Sequence, residues 1–266
     1  MLKDILSAQT PKLTNVTVKR LKGGRCRVDT KQRNELSERF KSVREKINIA
    51  SGGREVTLLA ATKTVSAETV NLAIKEEGLR YIGENKVQEL VEKYPYIDRD
   101  GVEIHFIGGL QTNKVRQIID KVDVIQSLDS VKLAKEIDKR AAAIGKVMRV
   151  LIEINIGREP EKGGIMPEET ESFIREVTSF PNVKVEGLMT MAPAKITEEE
   201  YERYFTEVKE IFEKIKALNI EGADMKILSM GMSESYEAAA RCGATLVRVG
   251  SALFGKRIYP QDNTTL

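Results

Sequence analysis

Eight short apolar runs of strand character recur along this chain, with helical patterns between them. The runs fall at 56–62, 80–83, 104–108, 124–127, 147–156, 183–190, 226–230 and 245–250. Apolar residues spaced three or four apart predict helices at 32–50, 66–77, 87–93, 114–121, 131–144, 167–179, 198–218 and 235–242. Ser66 followed by Glu68 gives the second of these a capped, acidic start. The mean repeat is roughly 27 residues, close to the ~30 of a (β/α)8 barrel. Continuous apolar stretches such as Val150-Leu151-Ile152 suit a parallel sheet buried on both faces. The rival architecture, an open doubly wound sheet, usually carries a Gly-rich fingerprint after its first strand. Here Thr62-Lys63-Thr64 stands in that place, so a single (β/α)8 TIM barrel is expected, with no linker dividing it.

Charge separates the barrel from what precedes it. The net charge is +3, yet residues 1–31 hold eight Lys/Arg against two Asp/Glu, and the remainder has 35 basic and 38 acidic residues. Residues 1–31 are therefore expected to be a flexible basic extension, and 32–266 the barrel. No aromatic or recognition motif accompanies the basic residues, so a nucleic-acid partner is not expected. No apolar run approaches a membrane span, and the start lacks the apolar core of a secretory signal. Cys26 and Cys242 make neither a disulfide framework nor a metal cluster, and His105 is the one histidine, so no metal site is expected. A cytoplasmic location fits this composition.

In a barrel, function gathers at the carboxyl ends of the strands, with phosphate often bound after strands seven and eight. Lys63 is read at the last position of the first strand, where a lysine with a depressed pKa can form a Schiff base. A rim lysine in a surface ion pair is the alternative. After the seventh strand, Ser229-Met230-Gly231-Met232-Ser233 offers a tight turn and a hydroxyl at a helix start, although Ser233 can equally serve as a cap. After the eighth, Gly250 permits close approach of backbone to an anion, and Ser251 adds a hydroxyl. Strand alternation puts Arg248 on the face opposite Val247 and Val249, where a buried arginine needs a partner, a ligand or an internal carboxylate. Asn85 and His105 lie at the ends of the second and third strands, and His105 can be structural.

Thr62-Lys63-Thr64, Ile82-Gly83-Glu84-Asn85, His105-Phe106-Ile107-Gly108, Leu110-Gln111-Thr112-Asn113-Lys114, Gly187-Leu188-Met189, Ser229-Met230-Gly231-Met232-Ser233 and Val247-Arg248-Val249-Gly250-Ser251 stand in order. Over roughly 32–260 the chain resembles the pyridoxal phosphate homeostasis protein family, single-domain proteins similar to the N-terminal barrel of alanine racemase. The resemblance implies pyridoxal 5'-phosphate (PLP) as cofactor, held by Lys63 as an internal aldimine. It implies that Ser233, Gly250 and Ser251 bind the phosphate with Ser229 near it, that Arg248 faces the pyridine nitrogen, that Asn85 lies beside the ring, and that His105 belongs to the site. Gly109 and Thr112 depart mildly from the family pattern.

An arginine is a donor only, so a nitrogen facing it accepts and stays unprotonated, which weakens the electron sink. The resemblance thus implies a carrier or buffer of PLP in its homeostasis rather than an enzyme, expected as a monomer, with apo PLP-dependent enzymes as recipients. A PLP-dependent amino-acid racemase of low activity is the alternative.

Overall fold

The computed structural model describes residues 30–255. Eight parallel strands close in sequence order: β1 Thr57–Ala61, β2 Tyr81–Glu84, β3 Glu103–Phe106, β4 Val124–Leu128, β5 Met148–Ile154, β6 Val183–Thr190, β7 Ala223–Ser229 and β8 Leu246–Val249. The ring closes where Leu58 of β1 pairs with Val247 of β8 and Ala60 with Val249. Helix α1 (Thr30–Ala50) precedes the barrel. Between strands come α2 Ala67–Glu76, α3 Val87–Lys93, α4 Val115–Ile118, α5 Val131–Ala142, α6 Thr170–Val177, α7 Glu198–Ala217 and α8 Tyr236–Arg241; a single turn, α9 Ser251–Phe254, follows β8. The expected TIM barrel is the fold.

Two apolar layers form for the reason strand alternation gives. Outward residues such as Ala60, Ile82, Phe106, Val150, Val247 and Val249 meet the apolar stripes of the helices in one continuous core. In α7 that stripe is Phe205, Val208, Phe212 and Ile215, all buried at helical spacing. Thr197 starts this helix: its hydroxyl accepts from Glu200 N at 3.3 Å while Glu200 Oε2 accepts from Thr197 N at 2.8 Å. Inward residues Leu59, Ala61, Ile107 and Leu246 fill one part of the barrel interior, and Val124, Leu151 and Met189 another. Helix α1 covers the closing seam, packing Leu36, Phe40, Val43 and Ile47 against the core beside α8 and α9. Phe40 meets Phe254 edge to face, with centroids 6.0 Å apart.

Several boundaries differ from expectation. The expected basic extension, residues 1–31, lies outside the described residues except for Thr30 and Lys31, which already belong to α1. β1 ends at Ala61, so Lys63 sits two residues beyond the strand and not at its last position. β7 starts three residues earlier than the apolar run suggests: Ala223 already pairs with Val185 of β6, and the charged Asp224 and Lys226 break up the apolar run at this end. The helix expected at 114–121 is a 3-10 turn, Thr112–Lys114, followed by the single turn of α4. Among the described residues no helix is long and apolar enough to cross a membrane, and no group of ligating side chains could hold a metal ion.

Candidate functional site

A cavity of about 760 Å³ opens at the carboxyl ends of the strands. Its walls come from the loops after β1 and β8 on either side of the closing seam, from those after β2, β3, β6 and β7, and from the start of α7.

Lys63 enters from the loop after β1 and is half-buried. This loop is clamped on both sides of the lysine. Thr62 is fully buried and donates its hydroxyl to Glu84 Oε1 at 2.6 Å. Lys93 on α3 donates to Thr62 O at 2.8 Å, Glu84 Oε1 at 2.7 Å and Glu89 Oε1 at 3.0 Å. On the other side the Thr64 amide donates to Glu89 Oε1. Thr64 holds φ at 67°, a left-handed conformation that costs a non-glycine residue on the order of 1–3 kcal/mol. Such strain persists only where its surroundings enforce it. Here it fixes the path of the backbone at the lysine. Burial pushes the Glu84 carboxyl above its ordinary range, and Lys93 opposes that shift.

Arg248 reaches the cavity from inside the barrel and is only 4% exposed. One terminal nitrogen, NH1, donates to Ser229 Oγ at 2.7 Å; the other, NH2, donates to Thr190 O at 2.8 Å. Both acceptors are neutral. Burial lowers its pKa to about 10, with Glu153 opposing the shift, so the guanidinium remains a cation at neutral pH. Glu153, on β5, is pushed up to about 7 by burial and then by Asp129, while Arg248 pulls it down.

The loops after β7 and β8 meet at one oxygen. Ser233 Oγ accepts from Gly250 N at 3.1 Å and from Ala252 N at 3.3 Å. Two backbone amides thus point at a single spot in the cavity wall, the arrangement an anion needs. The same cavity is lined by Asn85, whose buried Oδ1 has no hydrogen-bond partner among the described residues. Gly108 sets the position of Asn85, since a Cβ at Gly108 would lie 2.1 Å from Asn85 O. The loop after β3 can therefore press on the Asn85 backbone only without a side chain.

Of the residues singled out from sequence, Lys63, Asn85, Ser233, Arg248, Gly250 and Ser251 line this cavity together. Ser229 and His105 do not. Ser229 lies behind Arg248, and His105 lies deeper in the barrel, 1% exposed, its Nδ1 2.7 Å from Gln126 Nε2 and its Nε2 3.3 Å from Glu103 Oε2. Sequence reasoning missed Tyr201 of α7, Met191 and Met232, all in the cavity wall, and the buried Gln126 and Glu153. The last two carried a readable signal: each is a polar residue inside an apolar strand, the feature that drew attention to Arg248. Tyr201 carried none, because its place on α7 reads as part of the core stripe.

The family model described as "Alanine racemase, N-terminal domain" matches residues 33–258. A Pyridoxal phosphate homeostasis protein of Aquifex aeolicus (strain VF5) is 42% identical over 228 residues, covering 84% of this chain and 98% of that protein. The protein of the same name from Escherichia coli (strain K12) is 37% identical over 234 residues, covering 85% and 98%. Among solved structures, PipY of Synechococcus elongatus PCC7942 with PLP bound superposes with a TM-score of 0.74 at 29% identity, covering 83% of this chain and all of that one.

Proposed function

The chain belongs to the pyridoxal phosphate homeostasis protein family, and from that premise we propose that its cavity binds PLP and that the protein carries or buffers the cofactor for other enzymes. One observation carries the reading. A half-buried lysine, two converging amides and a buried cationic arginine meet in one cavity, and each suits a different part of the same molecule.

When bound, PLP supplies an aldehyde that a primary amine can capture. Lys63 provides that amine on a backbone held by Thr62 and Thr64. The Gly250 and Ala252 amides, with the Ser233 and Ser251 hydroxyls, suit a phosphate. Asn85 Oδ1, a buried acceptor still to be filled, would serve a donor on the bound cofactor. Arg248 would offer a cationic donor to the ring nitrogen, and such a donor would disfavour a proton there. The site therefore favours holding the cofactor over strong carbanion chemistry. The barrel is the binding unit, and apo PLP-dependent enzymes are the recipients.

The test is direct. Borohydride reduction of PLP-loaded protein should fix the cofactor on the peptide that contains Lys63, and Lys63→Ala should lose both the label and the visible absorbance. Label confined to another lysine refutes the assignment. The loaded protein should then show no racemisation, transamination or decarboxylation of a panel of amino acids approaching roughly 1 per second. Turnover at that rate, abolished by Lys63→Ala, would make this an enzyme.

A further inference from the structure

Three fully buried polar side chains, Gln126, His105 and Ser229, occupy interior positions of a barrel where apolar residues are the rule. None of them lines the cavity. Their hydrogen bonds run in one direction. Arg248 NH1 can only donate, so Ser229 Oγ accepts at 2.7 Å. Ser229 spends its own proton on Gln126 Oε1 at 2.7 Å. The Gln126 amide nitrogen, also a donor only, then faces His105 Nδ1 at 2.7 Å. That nitrogen must accept, which places the imidazole proton on Nε2, pointing at Glu103 Oε2 at 3.3 Å. Arg149 NH1 donates to the same Glu103 oxygen at 2.9 Å. Glu103 is held as an anion, its carboxyl lowered to about 2 first by His105 and then by Arg149. The series therefore ends on a group that always accepts.

We propose that Ser229, Gln126 and His105 form a one-way hydrogen-bond relay that fixes how Arg248 presents its remaining donors to the cavity, which makes Gln126 and His105 positioning residues for the cofactor-facing arginine. The reason lies in the acceptors. Neither of these acceptors of Arg248 is charged, and among the described residues its guanidinium is in no direct ion pair, Glu153 acting on it only from beyond contact distance. Its one side-chain acceptor among the described residues, Ser229, has a rotating hydroxyl, and that rotor is fixed because Gln126 Oε1 takes its proton. Gln126 in turn cannot turn its amide round without setting its nitrogen against Ser229 and its oxygen against the bare His105 Nδ1. The orientation of Arg248 is thus decided at the far end of the relay, by the protonation pattern of a histidine inside the barrel.

The relay rests on the PLP reading, and the experiment separates the two. The chain has a single histidine, so protein labelled with 15N-histidine gives imidazole signals from His105 alone. Without ligand, a neutral ring protonated on Nε2 is expected; a ring protonated on Nδ1 overturns the relay whatever the protein binds. With saturating PLP the Nδ1 resonance should move, and an unmoved signal on protein that demonstrably binds PLP overturns the coupling. Failure of the wild type to bind PLP refutes the PLP reading instead, and the link to the cofactor falls with it.

Substitutions add a second readout. Gln126→Met should weaken PLP binding by about tenfold, one step of about 1.4 kcal/mol, and shift the visible band of the bound cofactor. His105→Gln, which can still accept from Gln126 and donate to Glu103, should stay within about twofold of wild type, whereas His105→Leu should follow Gln126→Met. Folded Gln126→Met protein with wild-type affinity and band overturns the proposal. Should that variant not fold, the spectra of the wild-type histidine decide it.

Discussion

Lys93 Nζ lies 2.7 Å from Glu84 Oε1 behind the loop that carries Lys63, with side chains only 11% and 3% exposed. The pair ties α3 to the end of β2. Through Thr62, which bonds to both partners, it also ties them to the first residue past β1. A helix on the outside of the barrel thereby fixes the path of a loop at its rim.

Lys93→Met should destabilise the fold by about 3–5 kcal/mol, because it leaves a buried carboxylate without its cation. The loss should be larger at pH 8 than at pH 5. Glu84 titrates above its ordinary range in the fold, so its contribution to stability is complete below that range and falls as pH rises through the folded value. Removing Lys93, which opposes the shift, raises the folded value further. Denaturant unfolding at the two pH values checks this, and equal losses at both would contradict it.

The amides that converge on Ser233 Oγ give a second test. A Cβ at Gly250 would lie 3.2 Å from Ala61 O, so Gly250→Val crowds the first strand as well as the anion position. Combined with Ser233→Ala it should weaken PLP binding on the order of 10- to 100-fold, since charge-assisted hydrogen bonds contribute roughly 1.5–3 kcal/mol each. Equilibrium dialysis of the folded double variant reads this. Unchanged affinity would put the phosphate elsewhere.

Glu153 supplies a pH dependence of its own. With a folded value of about 7, above that of an unfolded glutamate, its favourable contribution holds at acid pH and is lost as pH rises through 7. Stability should therefore decline between pH 5 and pH 8. Glu153→Gln should flatten that decline by about 1–3 kcal/mol. Parallel stability profiles for the two proteins would show that Glu153 ionises freely in the fold.

Strand periodicity carried most of the architecture because interior and exterior positions alternate in every strand. It set Arg248 on the face opposite Val247 and Val249, and in the closed barrel that face is the interior one. It could not give depth along the barrel axis. Arg248 and His105 both point inward, yet one reaches the cavity and the other lies beneath it, because register around a closed sheet is set by pairing partners far away in the chain. Strand ends were illegible for a related reason. Thr62 is fully buried and paired to Gly83 O through its amide, so neither burial nor pairing marks the stop at Ala61. The cavity wall contributed by Tyr201 depends on how α7 leans over the rim, which side-chain spacing within one helix does not encode.

The seam between β1 and β8 gives the site an order of assembly. Lys63 follows the first strand to be synthesised; Arg248 and Gly250 come with the last. Neither half is a binding site until the ends of the barrel have found each other across the whole intervening chain. Non-local pairing of this kind is slow relative to local helix formation. A nascent chain should therefore stay unable to take up the cofactor until its final strand has left the ribosome, so that capture of PLP reports a completed fold and cannot help to nucleate one.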